Sequence, residues 1–185
     1  MNTTKLSQII EGCRRRDRVS QHALYELFYS FALSVSRQYV ATTDAGREVV
    51  NDAFFRVFTK IENYDPTLPF QAWLRKVVVF SAIDHYRKYQ RSSLPLEELS
   101  QVEQVPADGC DLLERLSSDE LLAQVQRLPP SYRMALNLFA IEGYEHHEIA
   151  EMLGITVGAS KSNLFKARAK LKELMQQPTP KTSAT

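Results

Sequence analysis

Glycine is scarce in this chain, six residues in 185. No segment alternates apolar and polar side chains over a useful length, which argues against half-buried strands. No apolar run approaches the roughly 20 residues that a membrane helix needs. The N-terminus, MNTTKLSQIIEGCRRRDR, lacks an apolar stretch followed by small residues, so it does not read as a signal peptide. The two cysteines, Cys13 and Cys110, stand apart without CxxC spacing. They fit free cytosolic thiols better than a disulfide or a metal site. No Ser/His/Asp arrangement, glycine-rich phosphate loop or carboxylate pair suggests catalysis. His146 and His147 are adjacent and so do not share a helix face as paired ligands would. The reading is of a non-enzyme with no metal and no cofactor.

What is present is helical periodicity. Leu, Phe and Val recur at three-four spacing, and the expected fold class is all-α. One helix is expected over roughly 4–16. A second runs from about Ser20 to Val40, with Leu24, Leu27, Phe28, Phe31 and Val35 as its apolar stripe. Thr42, Thr43 and Asp44 break it and offer a cap. A third continues to Ile61, burying Val50, Ala53, Phe54, Val57, Phe58 and Ile61. Asn63 to Pro69, with two prolines and an Asn/Asp pair, reads as a loop. A fourth helix follows from Phe70 to about Arg91. Its end mixes Tyr86, Arg87, Lys88 and Tyr89, which suits phosphate and stacked bases. Cations complementing a helix C-terminus explain that end equally well.

Charge divides the chain into three. Residues 1–91 carry a net +5, residues 92–118 a net −5, and the remainder a net +1. The middle block contains Pro95, Pro106 and Gly109 and reads as a linker. Beyond it, helices are expected from Ser118 to Pro129 and from Ser131 to Glu142. The last eight residues, 178–185, read as a disordered tail.

The stretch Gly143 to Met175 says most about function. A short acidic helix, roughly Glu145 to Leu153, ends at Gly154. Thr156 then caps a long helix with Lys161, Lys166, Arg168, Lys170 and Lys172 and a single acid, Glu173. Leu164, Ala167, Leu171 and Leu174 form its buried stripe. This is the helix-turn-helix arrangement, whose second helix enters the major groove. Ala159, Ser160, Ser162 and Asn163 are expected to be an exposed small and polar run that approaches base edges, with lysines reaching phosphates behind it. A glycine turn between amphipathic helices is nonetheless common, and a basic helix is often only a solvated face.

Three stretches in this order carry a resemblance: AGREVVNDAFFRVFTKIENYDP (45–66), FQAWLRKVVVFSAIDHYRK (70–88) and LPPSYRMALNLFAIEGYEHHEIAEMLGITVGASKSNLFKARAKL (128–171). Together they closely resemble the extracytoplasmic-function (ECF) group of bacterial sigma factors, in the sigma-70 family. The resemblance implies a region 2-like helical domain over 1–91, an acidic linker over 92–118 and a region 4-like domain over 119–177. It implies binding to core RNA polymerase and promoter DNA in the cytoplasm, with no membrane insertion and no covalent chemistry, and an anti-sigma factor as a further partner.

Residue roles follow from the same resemblance. Asn51, Asp52, Phe55, Arg56 and Thr59 would face the polymerase, with Phe55 as an exposed aromatic anchor. The loop Asn63 to Pro69 would receive a base flipped from the minus-ten element, with Asn63, Tyr64 and Asp65 as contacts. Arg75, Lys76, Tyr86, Arg87 and Lys88 would contact the same element. Ser160, Lys161, Ser162, Asn163, Phe165 and Lys166 would meet the minus-thirty-five element. The family often has Gly-Thr-Val where this chain has Gly158-Ala159-Ser160, and arginine where Asn163 stands. Two other readings remain at this point: a helix-turn-helix regulator outside the polymerase, and a helical protein-binding module.

Overall fold

The computed structural model describes residues 3–92 and 118–176. The linker expected over 92–118 falls almost wholly outside these residues, as do Cys110 and the tail over 178–185. The chain separates into two compact units near residue 94. Every regular element among the described residues is helical.

The first unit contains α1 (Thr3–Arg14), α2 (Arg18–Ser36), α3 (Thr43–Lys60), a 3-10 turn over Ile61–Asn63, and α4 (Phe70–Ser92). Leu24, Val35, Val49, Val50, Val57, Leu74 and Ile83 are fully withdrawn from solvent and join α2, α3 and α4 into one core. Gly12 is required where α1 meets α2: a Cβ there would lie 2.0 Å from Ser20 Oγ. Helix α2 begins earlier than expected, because Asp17 is its cap and accepts from Ser20 N at 2.8 Å. It also ends earlier, at Ser36 rather than Val40. Tyr39 and Val40 still enter the core, from the turn that follows. Leu27, expected in the stripe of α2, is instead 41% exposed. Thr42 caps α3 as expected, accepting from Ala45 N.

Helix α1 closes in a Schellman motif. Asp17 N donates to Gly12 O and Arg16 N to Cys13 O, each at 3.0 Å. The residue in the left-handed position is Arg16, at φ +60°. A side chain there costs on the order of 1 kcal/mol relative to glycine. Cys13, fully buried at this junction, has its thiol pushed up to about 11 by burial and then by the Asp17 charge. It is a packing residue held as the unreactive thiol.

The second unit contains α5 (Ser118–Gln126), α6 (Pro130–Ala140), α7 (His146–Leu153) and α8 (Val157–Gln176). Val125, Leu128, Ala167, Leu171 and Leu174 form one apolar seam, joined by Leu121, Tyr132, Leu136 and Met175. Helix α7 opens in a capping box, with Glu145 N donating to Glu148 Oε2 at 2.7 Å. It closes in a second Schellman motif: Ile155 N donates to Ala150 O and Gly154 N to Glu151 O. Here the left-handed residue is the expected glycine, Gly154 at φ +68°. Thr156 caps α8 through Ala159 N.

His146 ties the three last helices together. Its Nδ1 lies 3.0 Å from the Oγ of Ser160 on α8. Its ring stacks on Phe139 of α6 at 4.8 Å. Burial, then the charges of Lys161 and Arg168, hold its pKa below the ordinary imidazole value. The folded state therefore binds fewer protons than the unfolded chain as pH falls through about 6.5.

Two outcomes are expected. Gly12→Ala should destabilise the first unit by about 1–3 kcal/mol in denaturant unfolding, since helix backbones must part to admit the methyl. Stability of the second unit should decline on acidification below pH ~6.5 and recover as pH rises. His146→Gln should remove that component from the difference between paired pH–stability curves.

Candidate nucleic-acid interface

Helix α8 is divided lengthwise. Ser160, Asn163, Leu164, Ala167, Leu171 and Leu174 face the core. On the opposite side Lys161, Phe165, Arg168 and Lys172 recur at spacings of four, three and four and are exposed. Ser162 and Lys166 flank this stripe, half-buried. Glu173, the one acid of the helix, pairs with Lys170 at 2.9 Å. The exposed stripe is thus cationic around a single ring, Phe165, which is 42% exposed.

Two residues expected on this face lie inside. Ser160 is fully buried and Asn163 is 4% exposed. Each stands four residues before a member of the apolar stripe, Leu164 and Ala167 respectively, and helical geometry carries the stripe back through them. Ser160 meets His146, so neither side chain is available to base edges. Arg168 and Lys172 were missed as face residues, although their spacing from Lys161 marks them. The Arg168 guanidinium carbon also sits 5.8 Å from the Phe139 ring centroid.

In the first unit the loop after α3 is built around Tyr64. Its ring packs against Phe70 and Trp73 at 5.2 and 5.4 Å, and its hydroxyl donates to Leu68 O at 2.6 Å. Tyr64 is therefore the buried floor of the loop, not an exposed contact. Asp65 closes an Asx turn, accepting from Thr67 N at 2.9 Å and Thr67 Oγ1 at 2.7 Å. Those bonds hold its carboxyl below the usual range. Asn63 and Asp65 are exposed at the rim.

Along α4, Lys76 and Lys88 are exposed. Arg75 is half-buried and donates to Gln38 Oε1 at 3.3 Å. Tyr86, expected to contact nucleic acid, is 5% exposed. It belongs to the inward row of Val79, Ala82 and Ile83, and its hydroxyl accepts from Gln90 Nε2. An exposed ring, Phe80, stands on the same side of α4 as Lys76 and Arg87.

Helix α3 turns Asn51, Asp52, Phe55 and Thr59 outward. Phe55 is 71% exposed, beside a core that buries Phe54 and Val57. Thr59 Oγ1 donates to Phe55 O at 2.9 Å, and Asn51 Oδ1 accepts from Tyr25 at 3.3 Å. Arg56 is committed to α4, pairing with Asp84 Oδ2 at 2.6 Å. The other carboxylate oxygen of Asp84 lies 3.8 Å from Arg87. One acid thus stands between an α3 arginine and an α4 arginine. Among the described residues no cluster of His, Cys, Asp and Glu suits a metal ion, and no helix is long and apolar enough to cross a membrane.

Comparison with known proteins matches these two units separately. Residues 24–92 match sigma-70 region 2, and residues 118–171 match sigma-70, region 4. The ECF RNA polymerase sigma factor SigE of Mycolicibacterium smegmatis is 29% identical over 173 residues, which cover 89% of this chain and 63% of that protein. The ECF RNA polymerase sigma-E factor of Escherichia coli K12 is 23% identical over 179 residues, covering 91% and 93%. A solved complex of the sigma factor RpoE with the anti-sigma factor NepR from Bartonella quintana aligns with a TM-score of 0.49 at 19% identity. That alignment covers 85% of this chain and 97% of the other. A helix-turn-helix regulator outside the polymerase would carry a receiver or ligand domain ahead of its DNA-binding helices, and the match to region 2 over 24–92 argues against that reading. With both regions present in order around a helical fold, this chain belongs to the sigma-70 family, in the ECF group of RNA polymerase sigma factors.

Proposed function

We infer that this chain binds core RNA polymerase, directs it to promoters and supports DNA opening by binding alone, with no bond made or broken by its own residues. The observation that carries this is the lengthwise division of α8. A core stripe fixes the helix, and the opposite face offers Lys161, Phe165, Arg168 and Lys172 to a polyanion. A protein-binding module has no use for such a face. Lys161, Ser162, Phe165 and Lys166 are the side chains we assign to the minus-thirty-five element, with Arg168 and Lys172 added as phosphate contacts.

For the minus-ten element we assign the rim of the loop, Asn63 and Asp65, with Lys76, Arg87 and Lys88 along α4. Tyr64 and Tyr86 act beneath that surface as supports. Arg75 joins it through the face it shares with Gln38. Asn51, Asp52, Phe55 and Thr59 form the polymerase-facing patch. Phe55 is its anchor, and Arg56 is a strut that holds α3 to α4. Action with polymerase implies a cytoplasmic protein, and an anti-sigma factor is the remaining partner class.

Run-off transcription with core polymerase and a genomic fragment library tests the reading. Specific transcripts that require this chain support it, and no core binding and no transcripts would overturn it. Phe55→Ala is expected to weaken core binding about 10- to 30-fold in a competition assay, as removal of a central aromatic anchor does. Lys161→Ala should reduce use of the upstream element and lower the salt slope of holoenzyme binding by about 1.

A further inference from the structure

The junction of α1 and α2 carries four arginines in five positions, Arg14, Arg15, Arg16 and Arg18. Only part of this cluster has a structural use. Arg14 pairs with Glu11 at 3.7 Å and donates through Nη2 to Tyr64 O at 3.1 Å. Arg15 sits at the C-terminal end of α1, where a cation complements the helix dipole. Arg16 and Arg18 have no such account. Arg16 occupies the left-handed position of a Schellman motif, which the same chain fills with glycine at Gly154. Arg18 is in the first turn of α2, where the dipole disfavours a cation, and that turn contains no acid.

The junction therefore breaks two local rules, each time in favour of a guanidinium. Arg15, Arg16 and Arg18 are all exposed. Arg15 acts on Asp17 through its charge, the last of the influences that lower that carboxyl, and neither Arg16 nor Arg18 enters an ion pair among the described residues. The neighbouring Asp17 is engaged by Ser20, accepting from its N at 2.8 Å and its Oγ at 2.6 Å. Departures from local preference of this kind mark functional sites rather than folding ones. The location is specific as well. The Arg14–Tyr64 bond fastens the end of α1 to the floor of the loop assigned above to the minus-ten element.

We propose that Arg15, Arg16 and Arg18 form a further phosphate-binding site for the promoter strand that runs past the 63–69 loop. The proposal rests on the minus-ten reading of that loop and adds a second wall to it. Guanidinium groups on a rigid turn grip phosphate bidentately and carry no base preference. They would fix the strand's path while the loop rim selects the base.

The test uses holoenzyme carrying R15Q/R16Q/R18Q, with a promoter fragment taken from the run-off experiment as the probe. The slope of log affinity against log salt should become shallower by about 0.7–0.9 for each phosphate no longer neutralised, roughly 2 in all. R15K/R16K/R18K should restore most of it. Arg16→Gly alone should raise the thermal midpoint of the protein yet weaken promoter binding, opposite signs that a folding role does not produce. An unchanged salt slope in the triple glutamine variant would overturn the proposal. So would a defect confined to core binding, which would place the patch on an acidic polymerase surface. Asn63→Ala separates the two readings. It should slow opening, read by permanganate reactivity, without altering the slope. Failure of that variant to slow opening counts against the loop assignment, not the arginines.

Discussion

What α8 presents on its outer face depends on the seam that holds it, Ala167, Leu171 and Leu174 packed with Val125 and Leu128. Burial of apolar area is non-directional, so the seam alone would tolerate rotation of the helix about its axis. Ser160 supplies the missing direction. Its hydroxyl meets His146 at the start of α7, and His146 is stacked in turn on α6. A part-buried polar pair is costly when mismatched and so favours one arrangement. The outward placement of Lys161 and Phe165 follows from what Ser160 and His146 require on the inner side.

Much of this architecture was legible in the sequence because it rests on periodicity and punctuation. The helix-turn-helix was marked by Gly154 and Thr156, and both act as helix ends in the way their chemistry suggests. The loop was marked by Pro66 and Pro69. Polarity proved a poor guide to direction. Ser160 and Asn163 looked exposed because they are polar, yet their spacing from Leu164 and Ala167 put them inside. Tyr86 looked like a stacking residue because cations surround it, yet it lies on the inward row of α4. In each case helical geometry outweighed residue type. Leu27 shows the converse, an apolar residue at stripe spacing that is left 41% exposed.

Other features were not legible because they depend on tertiary contact. Nothing local in the sequence reveals that Arg56 is bound to Asp84, 28 residues away. That pair is half-exposed, and pairs of this kind contribute at most about 1 kcal/mol. Its value is geometric: Asp84 lies between Arg56 on the helix assigned to polymerase and Arg87 on the helix assigned to DNA. The left-handed Arg16 was equally hidden, since an arginine gives no turn signal. The backbone bonds of the Schellman motif impose the conformation on it.

The division of α8 has a bearing on how promoter preference diversifies. Lys161 and Phe165 stand exposed outside the core, and surface changes away from caps and buried networks usually alter stability by less than about 0.5 kcal/mol. On the assignment proposed above, drift at these positions retunes the recognised sequence without jeopardising the domain. Ser160 and Asn163 are closed to that drift, because each fills a place in the interior. Duplicated copies of such a chain can therefore part company in what they read while keeping the same scaffold. On that assignment, the alphabet available for divergence is set by the few side chains the core leaves wholly or partly outside.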